Sequence, residues 1–253
     1  MSLLKMLSPA DYFSIANGAI GALGILYFID GSEKHIMFGI VLILIAMFMD
    51  GLDGAVARRF GSKHHLGVYL DSMADSVSFC FAPAVFVYKL FYDLSRGGAL
   101  EDMENFLAVS AAISIATVGI IRLSVFSYFK ENKLKTFLGL PTPSMAFFVL
   151  TGGIIFQDHT TVFLPILIAI VSLMLMSFPY PKINTKPLIA ISFAGLIFGI
   201  GGATMGAYGI DNYRIPFIVA FGIILLYIAY PLLMFLAGKK IAEVEVDEID
   251  KQK

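Results

Sequence analysis

Between residues 50 and 75 the chain reads DGLDGAVARRFGSKHHLGVYLDSMAD, a stretch that carries four aspartates, Asp50, Asp53, Asp71 and Asp75. The first two are three residues apart and the last two four apart. On helices each pair therefore lies on one face, one turn above the other. Residues 50, 53, 54, 57 and 58 share a face, and residues 67, 71, 75 and 78 share a face of the next helix. Four carboxylates converging beside apolar segments repel one another, and each costs roughly several kcal/mol to desolvate. A divalent cation resolves that conflict, and hard oxygen ligands suit Mg²⁺, Mn²⁺ or Ca²⁺ rather than zinc. Two such ions about 3.5–4 Å apart would stabilise both the attacking and the leaving oxygen of a phosphoryl displacement. Gly54 and Ala57 leave a shallow trough on the same face, and Arg58 offers a planar fork for a phosphate. Helix packing and capping alone would account for Gly54, Ala57, Gly67 and one aspartate. They do not account for four aspartates and an arginine in register on adjacent helices.

The elements that hold these groups are apolar helices. The chain has 253 residues, 58% of them hydrophobic and 15% charged, with a mean hydropathy of +0.83. An ordinary soluble domain is nearer half apolar and a quarter charged. Apolar stretches of about 20 residues recur from end to end, which predicts an all-α, polytopic membrane helical bundle. Eight spans are expected, roughly 12–29, 35–59, 67–92, 105–126, 142–157, 161–178, 186–205 and 214–237. The fifth and sixth are joined by very few residues, Gln157 to His159. One membrane domain over 1–241 and a solvated charged tail over 242–253 complete the organisation. The single cysteine, Cys80, excludes an internal disulfide and reads as small apolar filler. No cleavable signal peptide is expected at the start, where MSLLKMLSPA suits a short turn on the membrane surface.

Charge sets the expected orientation. With an even number of spans both termini share a side. Of the 18 Lys and Arg residues, all but Lys34, Lys89, Arg96 and Arg214 fall on that side, 14 against 4. Basic connections stay cytoplasmic, so both termini and the aspartate hairpin are expected there. The connection at 98–105, GALEDMEN, is acidic and fits the opposite face.

The hairpin resembles the signature of the CDP-alcohol phosphotransferase family, D-x-x-D-G-x-x-A-R-x8-G-x-x-x-D-x-x-x-D. Asp50, Asp53, Gly54, Ala57, Arg58, Gly67, Asp71 and Asp75 all match it. The resemblance implies an integral membrane enzyme that moves a phosphatidyl-type group from a CDP-linked lipid to an alcohol and releases CMP. It further implies that the four aspartates hold two metal ions, that Asp75 is the general base, and that Gly54, Ala57 and Arg58 contact the CDP moiety. Many relatives carry Ser or Thr six residues after the signature arginine. Here that position is His64, and Ser62 is the available hydroxyl.

Other segments resemble the phosphatidylserine synthase branch of that family. DSMADSVSFCFAPA at 71–84, LGLPTP at 138–143 and FPYPK at 178–182 are similar to its elements. DYFSIANG at 11–18 is similar to the family's T-x-x-N pattern, with Ser14 and Asn17 at the two positions. The branch implies L-serine as acceptor, and either CDP-diacylglycerol or its archaeal ether-lipid counterpart as donor. It implies a prokaryotic cell membrane, a homodimer and no nucleic-acid partner. Serine's carboxylate needs a cation, for which Arg122 and Lys133 stand near the membrane edge together with Pro141 and Thr142. The lysines around 130–135 serve topology and anionic lipid equally well. A phosphorylated acceptor, glycerol 3-phosphate or an inositol phosphate, would call for a denser basic pocket. A divalent-cation transporter would need carboxylates near the bilayer middle and no Arg58.

Overall fold

The computed structural model describes residues 7–60, 66–131, 139–176, 180 and 186–236, with 53–60, 66, 129–131, 186–188 and 231–236 as backbone only. Among these residues the chain is helical, without a strand. Helix α1 (Pro9–Asp30) starts on a proline, whose missing N–H costs nothing in the first turn. The Asp11 carboxylate accepts the Ser8 N–H at 2.6 Å, and Gly31 closes the helix at φ 76°. Helix α2 (Glu33–Phe60) follows at once and returns antiparallel. Helix α3 (Leu66–Asp75), a π-helical turn (Ser76–Phe81) and α4 (Ala82–Phe91) form one continuous rod. Helices α5 (Met103–Glu131), α6 (Thr142–Ile155), α7 (Thr160–Ser172), α8 (Lys186–Ala207) and α9 (Arg214–Leu236) complete the bundle.

Eight helical rods thus occupy the eight expected segments among the described residues. Five are long and apolar enough to cross a membrane: Pro9–Asp30, Glu33–Leu52, Gly67–Phe91, Met103–Tyr128 and Ile189–Ala207. The apolar helices Thr142–Ile155, Thr160–Ser172 and Arg214–Tyr230 are shorter. Large apolar side chains such as Leu26, Ile113, Ile197 and Leu226 face outward, as lipid contact requires and water does not favour.

Helix α7 stops at Ser172, short of the 178 expected from apolar content. The segment before α6 claims its last turn. Leu140 donates its N–H to the Leu173 carbonyl at 3.3 Å, and Gly139, at φ 79°, lies against Met174. A Cβ at 139 would stand 2.3 Å from the Met174 carbonyl oxygen.

Two kinds of packing hold the bundle. Toward one end, Phe91, Phe148, Phe156, Phe163 and Phe221 form a ring cluster with centroids 5.1–6.3 Å apart. Asn105, fully buried, knots the connection beyond it by donating to the carbonyls of Asp93 and Gly97 and accepting the Asp93 N–H. Toward the other end, small residues bring α1 close to the third rod. Gly18 lies on Ala74, and a Cβ at Gly21 would meet Ser78 at 2.1 Å from Oγ and 2.8 Å from Cα. Because the Ser78 backbone cannot yield, Gly21→Val is expected to destabilise the protein by about 1–3 kcal/mol, the usual penalty of overpacking. A thermal melt of the detergent-solubilised variant beside Leu26→Val, on the outward face of the same helix, checks this.

Candidate metal and acceptor site

Alternation of the helices gathers the start of α1, the ends of α2, α5 and α9, and the starts of α3 and α6 at one end of the bundle. Asp50 from α2 and Asp71 and Asp75 from α3 offer carboxylate oxygens that all lie within 4.8 Å of one another. Ligands on opposite sides of one ion are separated by twice the metal–oxygen bond, about 4.2 Å for Mg²⁺ and about 4.6–5.2 Å for Ca²⁺. The donor set and its spread therefore suit a hard divalent cation. Asp75 is the most enclosed of the three, at 9% exposure.

The third rod shapes this site through its π-helical turn, which begins at the residue after Asp75. Such a turn inserts extra backbone and rotates the residues beyond it, and these turns concentrate at functional sites. Here Ser78, fully buried, donates its hydroxyl to the Asn17 carbonyl at 3.0 Å. Asn17, also fully buried, donates its Nδ2 to Asp75 Oδ1 at 2.9 Å. The amide holds the carboxylate in place without adding charge, whereas any acid at this position would add a further negative group. Asn17 Oδ1 has no hydrogen-bond partner among the described residues although it is buried. It is a spare acceptor beside the carboxylates. Ser14 lies one turn earlier and is buried at 4% exposure.

A second cluster stands on α5 and α6. Arg122 is 7% exposed and donates Nε to the Leu140 carbonyl at 2.7 Å, with its guanidinium 5.6 Å from the centre of the Phe126 ring. One of its five N–H groups is thereby used, and the others have no hydrogen bond among the described residues. Asp75 is the charged group whose field reaches it. Pro141 precedes α6, and Thr142 opens it with a buried Oγ1 that lacks a hydrogen-bond partner among the described residues. A buried cation beside a helix N-terminus forms an anion-binding corner.

The expected residues thus fall into two groups. Asp50, Asp71, Asp75 and Asn17 converge, and Arg122, Pro141 and Thr142 converge next to them. Gly67 lies on the Asp71–Asp75 face in the first turn of α3. Asp53, Gly54, Ala57 and Arg58 continue α2 beyond Asp50, with their side chains outside the described part. Ser62 and Lys133 lie outside the described residues. Cys80 is buried against Gly119, in keeping with a packing role. Ser78, which its spacing sets on the face of Asp71 and Asp75, gains a tertiary partner that no spacing announced, the Asn17 carbonyl.

The convergence of three carboxylates predicts a cation-dependent stability. Millimolar Mg²⁺ or Mn²⁺ is expected to raise the Tm of the purified protein by several degrees, about 2–3 kcal/mol at a hundredfold excess over Kd. Asp71→Asn is expected to remove most of that rise, as differential scanning fluorimetry with and without chelator would record.

The family model of CDP-alcohol phosphatidyltransferase matches residues 7–178. The archaetidylserine synthase of Methanothermobacter thermautotrophicus is 32% identical over 188 residues, covering 72% of this chain and 73% of that protein. The CDP-diacylglycerol–serine O-phosphatidyltransferase of Methanocaldococcus jannaschii is 31% identical over 202 residues, 79% of this chain and 87% of that protein. The enzyme of the same name from Bacillus subtilis is 33% identical over 109 residues, 43% of this chain and 56% of that protein. The family match spans both the aspartate hairpin and the Arg122–Thr142 corner, and the chain belongs to the CDP-alcohol phosphatidyltransferases, a family of transferases.

Proposed function

We propose that this enzyme transfers a phosphatidyl-type group from a CDP-linked lipid to the hydroxyl of L-serine, giving a phosphatidylserine-type lipid and CMP. The observation that carries the reading is the buried Arg122 beside the three-carboxylate cluster at the same end of the bundle. One group suits a hard cation and a phosphate donor. The other suits an acceptor that brings a carboxylate of its own. The printed names of the relatives support the same substrate pair.

Asp50, Asp53, Asp71 and Asp75 would hold two divalent ions, Mg²⁺ or Mn²⁺, with Ca²⁺ an alternative. When bound, these ions offset the carboxylate charge and draw electron density from the phosphoryl oxygens. Asp75 takes the proton of the serine hydroxyl as that oxygen forms a bond to the β-phosphorus. The bond from the β-phosphorus to the bridging oxygen breaks, and CMP leaves with the electron pair. Asn17 fixes the Asp75 carboxylate during the transfer through its 2.9 Å hydrogen bond. Its free Oδ1, with Ser14, Gly54, Ala57, Arg58, Ser62 and Gly67, would contact the CDP-lipid headgroup. Arg122, with Thr142, Pro141 and Lys133, takes the serine carboxylate.

The same reading includes eight spans in one domain over 1–241 with a charged tail over 242–253. It also includes both termini and the site on the cytoplasmic side of a prokaryotic membrane, and a homodimer. Sidedness follows from the basic connections, and soluble serine meets the CDP-lipid there.

Purified enzyme given labelled serine and either CDP-diacylglycerol or its ether-lipid counterpart is expected to yield a serine lipid and CMP by mass spectrometry. Turnover of glycerol 3-phosphate or an inositol phosphate in place of serine would overturn the acceptor assignment. Asp75→Asn is expected to lower kcat by about 10²–10⁴-fold with CDP-lipid binding retained. Asn17→Asp, isosteric but charged, is expected to lose activity to a similar degree.

A further inference from the structure

Small residues leave the seam between α1 and the third rod smooth. Gly18 lies on Ala74 and Gly21 on Ser78, with no side chain of α1 to interlock at either place. Close packing fixes how near the two helices come, but a smooth seam resists sliding along the helix axis poorly. Directional contacts set that register, and two of them meet at Asn17. Ser78 donates its hydroxyl to the Asn17 carbonyl at 3.0 Å, and the Asn17 amide donates Nδ2 to Asp75 Oδ1 at 2.9 Å. Ser78 and Asn17 are both fully buried.

The direction of the Ser78 bond departs from the habit of this bundle. A serine or threonine hydroxyl on an apolar helix can satisfy itself by donating to the carbonyl four residues back. Ser76 does so on the same rod at 2.7 Å, and Ser114, Thr151 and Ser172 do so on other helices. Ser78 instead crosses to α1. It lies inside the π-helical turn, which closes with the Ala82 N–H on the Val77 carbonyl, five residues back. A bond within one helix steadies that helix alone, whereas a bond between two helices holds their register. Register matters here because a misplacement of about 1 Å at a reacting group can lower a rate about a hundredfold.

We propose that Ser78 is a positioning residue for the transfer step: its hydroxyl, crossing from the π-helical turn to the Asn17 carbonyl, fixes α1 against the third rod and, through the Asn17 amide, orients the Asp75 carboxylate. This rests on the reading of Asp75 as the group that takes the acceptor's proton. Ser78 touches neither substrate nor the reacting atoms, and it acts only through Asn17.

The test is a double-mutant cycle on the full-length enzyme in detergent, with serine and CDP-lipid each titrated at saturating Mg²⁺. Ser78→Ala removes one buried oxygen and leaves the packing of the rod in place. It is expected to lower kcat about tenfold, part of the loss that a 1 Å misplacement brings. Both KM values should stay within about twofold, because the contact acts on the reacting geometry and not on binding. Asn17→Ala is expected to lower kcat further, and adding Ser78→Ala to it should change kcat by less than about twofold, since the two act as one unit. Thr151→Val, which deletes a fully buried hydroxyl that bonds only within its own helix, is the control for stability. It should lower Tm about as much as Ser78→Ala does, with kcat unchanged. An unchanged kcat in Ser78→Ala, a full tenfold loss in the Asn17→Ala background, or an equal kcat loss in Thr151→Val would overturn the positioning role while leaving Asp75 in place. An active Asp75→Asn enzyme would instead remove the proton-acceptor reading, and the role of Ser78 with it.

Discussion

Everything at the working end of this bundle depends on how closely α1 can approach the third rod. Gly18 and Gly21 present no side chain, so α1 settles onto Ala74 and Ser78 almost backbone to backbone. That contact brings Asn17 within 2.9 Å of Asp75, fifty-eight positions away in the chain. Ser78 then bonds back to the Asn17 carbonyl, so a single interface positions both ends of the residue. A methyl or isopropyl group at Gly21 would push the helices apart and carry the amide out of reach of the carboxylate. Small residues here serve precision more than affinity: they let polar groups meet where the surroundings are apolar.

The electrostatics follow from that geometry. In an apolar bundle a charge survives only if it is paired, solvated or ligating. Asp50, Asp71 and Asp75 crowd together instead of dispersing, a grouping that could hold a metal ion. Arg122, one helix further on, carries the opposite charge but spends its Nε on a backbone carbonyl. The two clusters sit close enough for the field of Asp75 to reach Arg122, so donor and acceptor chemistry share one apolar, low-dielectric wall.

The site is also divided along the chain. The first three rods provide carboxylates, glycines and the amide that positions Asp75. The fourth and fifth provide the arginine and the helix N-terminus. The segment 139–142 joins the halves, because it accepts from Arg122, opens α6 and docks on the end of α7. Shortening of α7 is the cost of that docking: its last turn is given over to the Leu140 and Gly139 contacts.

What the sequence determined by itself is whatever local spacing encodes. The three- and four-residue intervals among the aspartates set two carboxylate faces, because helical periodicity makes such residues neighbours wherever the helix lies. Apolar content set the helical bundle, and the small residues around Asp53 and Asp75 marked a place of close approach. Tertiary structure decided the rest. The π-helical turn after Asp75 lies against α1 and α5 and leaves no compositional trace. The end of α7 is set by a loop more than thirty positions earlier. The pairings of Asn17 with Asp75 and with Ser78 join residues whose separation carries no period. Such contacts exist only once the helices are side by side, so no local pattern announces them.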